Sequence, residues 1–212
     1  RSGSTVLGDL LNQHSKIKWH GEIYGRHIRR DPTNFDRMIR EKPREDVYSI
    51  LGKSRQGTIK KFYGFEVKFY HLHFLSESLH NYLQNASKKG VDHIILLERQ
   101  NYLKVIVSSL VAAENGIWHS KNKQKPALTR VKMNLEQISV DGETKPLIDY
   151  FTSYDEAFKE VKSALKNLNS LSLSYKEDIL QNPVQAYHKM CDFLGVALQN
   201  PQVQFQRTNS HT

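Results

Sequence analysis

The sequence predicts an α/β domain with a central parallel β-sheet flanked by helices, and three stretches carry that prediction. Ile94-Ile95-Leu96-Leu97 is a continuous apolar run bounded by polar residues, the pattern of a parallel strand buried on both faces. Leu103, Ile106, Val107, Leu110 and Val111 follow at helical spacing, so strand, turn and helix fit within about 20 residues. Leu147, Phe151, Tyr154, Phe158, Val161 and Leu165 form a second amphipathic stripe that leads into the strand-like Leu171-Ser172-Leu173-Ser174-Tyr175. Repeated, these steps give a doubly wound plan. The 212 residues suit one domain, 1–212. With 38% hydrophobic and 25% charged residues, a disordered or low-complexity chain is excluded.

The remaining elements follow in order. Arg1-Ser2-Gly3-Ser4-Thr5 is a polar loop feeding a helix through Val6, Leu7, Leu10 and Leu11, which Asn12-Gln13-His14-Ser15 interrupts. Residues 22–60, charged and broken by Pro32, Pro43, Gly52 and Gly57, read as peripheral helices and loops. Phe65, Val67 and Phe69 alternate with Glu66, Lys68 and Tyr70, which predicts a strand over residues 65–70. Leu75, Leu79, Tyr82 and Leu83 then share a helix face, with Gly90 as its stop. Residues 119–146 gather Lys121, Lys123, Lys125, Arg130 and Lys132 around Pro126, and Asp141-Gly142 marks a turn; a mobile basic loop with a hairpin is expected. Pro183 opens a last helix that buries Val184, Tyr187, Cys191 and Leu194 and stops at Gly195.

The single cysteine, Cys191, excludes an internal disulfide and any two-cysteine zinc knuckle. No run approaches the roughly 20 apolar residues of a membrane span, so no integral membrane segment is expected. A net charge of +9 favours phosphorylated or polyanionic partners without choosing among them. The sequence starts at Arg1 with neither an initiator methionine nor a signal segment. A cytoplasmic location is expected, or the Golgi lumen where an upstream anchor was removed.

Two segments have the chemistry of an anion site. A Gly-containing loop that opens a helix presents unpaired N–H groups and a positive dipole end. Arg1-Ser2-Gly3-Ser4-Thr5 adds a guanidinium and hydroxyls to that geometry. It is neither a Walker A loop nor a GxGxxG fingerprint, and an ordinary capped helix start accounts for it equally well in isolation. Arg99 lies just past the C-terminal end of a predicted buried strand, with Ser108 on the helix behind it. Ligands of open α/β sheets sit at those strand ends, although a surface salt bridge is the plain alternative for Arg99.

Together these segments resemble the sulfotransferases that use 3′-phosphoadenosine 5′-phosphosulfate (PAPS), in the style of bacterial carbohydrate sulfotransferases. Arg1-Ser2-Gly3-Ser4-Thr5-Val6-Leu7, His14 and Gly21-Glu22 are similar to the 5′-phosphosulfate loop, its helix and a following Gly-Glu pair. Arg99-Gln100-Asn101-Tyr102-Leu103 through Ser108 resembles the 3′-phosphate motif. Tyr175-Lys176-Glu177-Asp178, Asn182-Pro183 and Phe193-Leu194-Gly195-Val196 resemble the late strand and closing helix. The resemblance implies a P-loop-like sulfotransferase fold whose first strand lies upstream of Arg1.

It further implies that Arg1, Gly3, Ser4 and Thr5 hold the 5′-phosphosulfate, with Ser2 acting through its backbone, and that Arg99 and Ser108 hold the 3′-phosphate. Glu22 matches a catalytic base, with His20 as the alternative under a one-residue shift. Lys68 matches a lysine near the bridging oxygen, against the plain reading of a strand-face lysine paired with Glu66. Arg207 and Asn209 match a basic tail that returns to the cofactor. The implied reaction is direct, metal-free sulfuryl transfer to a carbohydrate or glycolipid hydroxyl, leaving 3′,5′-adenosine bisphosphate (PAP) as product. Trp118 is a candidate for stacking on a sugar ring, and His71 and His73, read as one strand face, for lining the acceptor site. A metal pair at those histidines lacks a third ligand. The rivals are a nucleotide-dependent kinase, which the absence of a loop lysine disfavours, a basic nucleic-acid or polyanion-binding module, and a catalytically dead relative that keeps cofactor binding alone. No nucleic-acid partner is expected, because the aromatics follow core periodicities and form no stacking platform.

Overall fold

The computed structural model describes residues 3–25, 48–52, 56–57, 59–115 and 131–204. The chain is a mixed α/β domain with small parallel sheets flanked by helices. Helix α1 (Ser4–Gln13) buries Leu7, Gly8, Leu10 and Leu11. The polar turn after it buries one side chain, His14, whose Nε2 faces the Ala197 carbonyl at 2.9 Å while Nδ1 accepts the Lys16 N–H. Strand β1 (Ile17–Glu22) pairs in parallel with β2 (Phe62–Glu66).

Helices α2 (Phe69–Phe74) and α3 (Leu79–Lys88) follow, then β3 (Ile94–Glu98) and α4 (Tyr102–Asn115). A short antiparallel hairpin, β4 (Ile138–Val140) and β5 (Glu143–Lys145), precedes the long helix α5 (Leu147–Ala164). Strand β6 (Ser170–Ser174) pairs in parallel with β3, runs directly into a π-helical turn (Tyr175–Ile179), and leads to α6 (Pro183–Phe193).

The expected single central sheet is present as two separate parallel pairs, β1-β2 and β3-β6. An apolar run such as Ile94–Leu97 requires burial, but it does not specify which strand lies beside it. The main core joins α1, β1, β6 and α6 through Leu10, Leu11, Ile17, Leu173, Tyr187 and Met190. A second cluster, including Ile23, Tyr24, Leu72 and Tyr82, lies under α2 and α3.

The strand expected at residues 65–70 is shifted. Pairing ends at Glu66, and Lys68 is the N-cap of α2. The alternation of Phe65, Val67 and Phe69 continues past the boundary because Phe69 packs, half-buried, from the start of a helix instead. His71 and His73 therefore sit on a helix, where residues two apart point to nearly opposite sides. His71 is buried and His73 exposed, and among the described residues no three ligand-type side chains gather into a metal site.

The expected hairpin is present. Asp141 (φ 54°) and Gly142 (φ 86°) both adopt left-handed backbone, the requirement of a two-residue type I′ turn. The Tyr150 hydroxyl fastens it to α5, accepting from the Val140 N–H at 3.1 Å and facing the Ile138 and Glu143 carbonyls at 3.0 and 2.7 Å. The basic part of that loop through Arg130, with Trp118, lies outside the described residues. No described helix is long and apolar enough to cross a membrane.

Candidate functional site

One cavity of about 1380 Å³ opens between the two parallel pairs. It touches Phe65, Glu66 and Val67 at the end of β2 and all of Ile94-Ile95-Leu96-Leu97 in β3. Consecutive strand residues point to opposite faces, so the cavity meets both strands at their edges. The polar residues that line the cavity include Gly3, Ser4, Thr5, Glu22, Lys68, Arg99 and Ser108, from five separate stretches of the chain.

The glycine loop is built by backbone constraint. Gly3 has φ 85° and caps α1 with its carbonyl, which accepts from the Val6 and Leu7 N–H groups at 3.1 and 3.2 Å. Gly3 itself has no side chain to cap this helix start, and the residues at the positive end of the helix dipole, Gly3, Ser4 and Thr5, line the cavity. A β-carbon on Gly3 would stand 2.9 Å from Ile179 Cγ2 and 3.2 Å from Tyr175 Cδ2. The loop thus lies flat on the π-helical turn, and the same Tyr175 ring carries the Arg99 guanidinium 4.5 Å from its centroid.

Lys68 joins the loop from the opposite wall. Its Nζ donates to Ser4 Oγ at 3.3 Å and pairs with the Glu66 carboxylate. The pairing with Glu66 expected of this lysine is present, made from a helix cap and not from a strand face, and the lysine also stands beside the glycine loop. Glu22, at the end of β1, accepts a hydrogen bond from the Tyr70 hydroxyl at 3.0 Å. Asp141 reaches the cavity from the hairpin tip. Crowding by protein pushes its carboxyl above the usual range; the Lys68 charge opposes that and Glu22 reinforces it.

Ser108 is buried, 6% exposed, on the cavity face of α4. The apolar stripe of that helix is buried as expected at Ile106 and Val111, beside Ser108, and only Leu103 in its first turn is exposed, at 43%. His20 does not line the cavity, and its ring packs against Tyr63 at 6.2 Å. Arg1, Ser2, Arg207 and Asn209 lie outside the described residues. Tyr70, Asp141 and Tyr175 are the site neighbours that residue type alone did not single out for a role, whereas His71 was a candidate only as part of a strand face with His73; the Lys68-x-Tyr70-His71 spacing is the signal for Tyr70.

The π-helical turn that supports the loop is anchored by Asp178, 6% exposed. Its two carboxylate oxygens accept from the Ser174 N–H and the Lys189 ammonium, each at 2.6 Å. Burial pushes this carboxyl up, but Lys189 and the Ser174 N–H outweigh it and hold it below the ordinary value. A lowered folded-state pKa contributes stability that is fully present above the unfolded value of about 3.9 and is lost as pH falls through the folded value. Lys189→Ala is expected to lower stability at pH 7 by about 1 kcal/mol, the partial exposure of the lysine taken into account. In urea melts the gap from wild type should narrow as pH falls below the unfolded carboxylate value of about 3.9; a gap independent of pH would sink this account.

Compared with known proteins, the chain matches no protein-family model, no curated protein and no solved structure.

Proposed function

We propose that the chain is a sulfotransferase domain that moves a sulfuryl group from PAPS to an acceptor hydroxyl, with a carbohydrate or glycolipid as the acceptor class. The observation that carries this reading is the junction of Lys68 Nζ with Ser4 Oγ at 3.3 Å. It sets a cation beside an uncapped helix start, with Glu22, Arg99 and Ser108 on the same cavity. The donor set fits a nucleotide with phosphate groups at both ends: dipoles and hydroxyls at Gly3-Ser4-Thr5, a guanidinium and a buried hydroxyl at Arg99 and Ser108.

When bound, PAPS supplies a sulfuryl group whose leaving group is a phosphate. The loop N–H groups, Ser4 and Thr5 hold the 5′ end and offset its charge. Arg99, stacked on Tyr175, and Ser108 hold the 3′-phosphate. Lys68 adds positive charge beside the loop, and the Glu66 pairing fixes where its flexible stem points. Glu22 takes the proton of the acceptor hydroxyl, its carboxylate oriented by the Tyr70 O–H. Holding these groups in one geometry is the main contribution expected of the chain. The finer fold, a P-loop-like sulfotransferase sheet, is part of the same proposal.

Calorimetric titration tests it, with PAP beside 5′-AMP and ATP with magnesium. Wild type is expected to select PAP, and Arg99→Ala to weaken it by at least about tenfold, the loss of one charge-assisted pair. Equal binding of all three nucleotides, or an Arg99→Ala variant that binds PAP as wild type does, would overturn the reading. Broad, salt-sensitive binding without demand for the 3′-phosphate would favour the polyanion-binding alternative.

A further inference from the structure

Two histidines are fully buried in the described chain, and they differ in one respect. His14 uses both ring nitrogens within the fold. His71, 0% exposed, uses one: Nδ1 accepts the Lys68 backbone N–H at 3.1 Å, the return half of a capping box at the start of α2. Its Nε2 is buried without a hydrogen-bond partner. An acceptor role for Nδ1 puts the neutral ring's proton on Nε2. The charged group nearest that proton is the Glu22 carboxylate, with Oε2 at 3.8 Å. A buried polar atom left unpaired is costly, so retaining one here calls for a role.

We infer that His71 is a positioning residue for Glu22, its Nε2–H fixed toward the carboxylate by the Lys68 cap and closing to hydrogen-bond distance when an acceptor engages Glu22. At 3.8 Å the contact is too long for a hydrogen bond, but polar contacts of this kind tighten in the reactive complex. The ring has little freedom to do anything else. Tyr70 lies against it with centroids 4.4 Å apart and Tyr24 at 5.8 Å, both edge-on. Tyr70 and His71 therefore address the same oxygen of Glu22 from successive positions on one helix. The same Lys68 supplies the backbone N–H that sets the tautomer and the ammonium that reaches Ser4, so the base and the glycine loop are tied through one residue. The role in catalysis rests on the sulfotransferase reading; the pairing itself does not.

The test separates the two. In the full chain with ¹⁵N-labelled histidine, NMR should show His71 as the Nε2–H tautomer, and Glu22→Gln should move the Nε2 resonance while leaving Nδ1 in place. A His71 in the other tautomer, or an Nε2 resonance indifferent to Glu22→Gln, overturns the pairing whatever the chain catalyses. For the functional arm, His71→Asn keeps an acceptor near Nδ1 for the Lys68 cap and stops short of Glu22, whereas His71→Gln puts an amide N–H where Nε2 stood. With PAPS and N-acetylglucosamine as probes, His71→Asn is expected to lower kcat about tenfold with KM for PAPS and the melting temperature unchanged. His71→Gln should recover most of that loss.

The acid limb of the pH profile should also move to higher pH in His71→Asn, since a carboxylate that loses a donor is protonated more readily. Among the described residues, the groups around Glu22 include Tyr70 and His71 from α2, Lys68 at its cap, Glu66 from β2, Tyr24 after β1 and Asp141 from the hairpin, and of these only His71 changes in this variant. If both variants lose kcat in proportion to a fall in melting temperature, His71 is structural only and the inference fails. If wild type transfers no sulfuryl group and binds no PAP, the enzymatic reading fails, and the NMR result still decides the pairing.

Discussion

Gly3→Ala is expected to weaken PAP binding by more than about tenfold and to lower the melting temperature at once, because two separate constraints meet at this residue. The first is backbone: φ is 85°, and left-handed backbone costs an L-residue about 1–2 kcal/mol. The second is space. The added methyl would sit 2.9 Å from Ile179 Cγ2 and 3.2 Å from Tyr175 Cδ2, and Ile179, 5% exposed within the main core, has little room to yield. Relief requires the loop to lift off the π-helical turn or Tyr175 to swing away. Either movement disturbs both ends of the proposed nucleotide site, since Tyr175 also carries the Arg99 guanidinium. Scanning calorimetry and PAP titration read the two effects separately. A variant that melts and binds like wild type would show that neither constraint operates.

Gly8→Ala sets two opposing effects against each other. Alanine is the better helix former, worth about 1 kcal/mol in a helix interior. The β-carbon would stand 2.4 Å from Trp19 Nε1 and 2.5 Å from Cδ1, a contact with a rigid ring for which overpacking costs up to about 3 kcal/mol. The ring has no easy retreat. Trp19 pairs in register with Gly64 on β2, where a β-carbon would lie 2.6 Å from Cε3. The clash should win, with a net loss of about 2 kcal/mol and a melting point lower by about 4–8 °C for a chain of this size. Because Gly64→Ala presses on the same ring, the double variant should cost less than the sum of the two. Trp19→Leu should make Gly8→Ala nearly neutral. A Gly8→Ala protein more stable than wild type would mean the ring moves freely.

Trp19 also shows where the sequence stops being informative. Ile94–Leu97, the α5 stripe and Pro183 announce their elements, because burial and chain geometry act on each locally. Gly8 and Gly64 each read as an ordinary weak position in a helix or a strand; that both make room for one indole depends on a helix crossing a sheet 45 residues or more from one of them. Lys68 is similar. Alternation places it in a strand, and only the return bond from His71 Nδ1 makes it a helix cap. Arg99 and Ser108 were legible as candidates by residue type and place, and Glu22 only through the resemblance, whereas the Tyr70 and His71 neighbours of Glu22 required the α2 geometry. The split into two parallel pairs was not legible at all, since apolar runs specify burial and leave the neighbouring strand open.

The indole held between Gly8 and Gly64 has an optical consequence. The sequence contains two tryptophans, Trp19 and Trp118, and Trp19 lines the cavity while packing on the helix that starts at the glycine loop. In a Trp118→Phe background its emission would come from one ring in one setting, close enough to the loop to register ligand entry and rigid enough to register loss of the helix–sheet contact. The protein thus carries its own fluorophore at the seam between stability and binding, and a stopped-flow trace from it would time both events without any attached label.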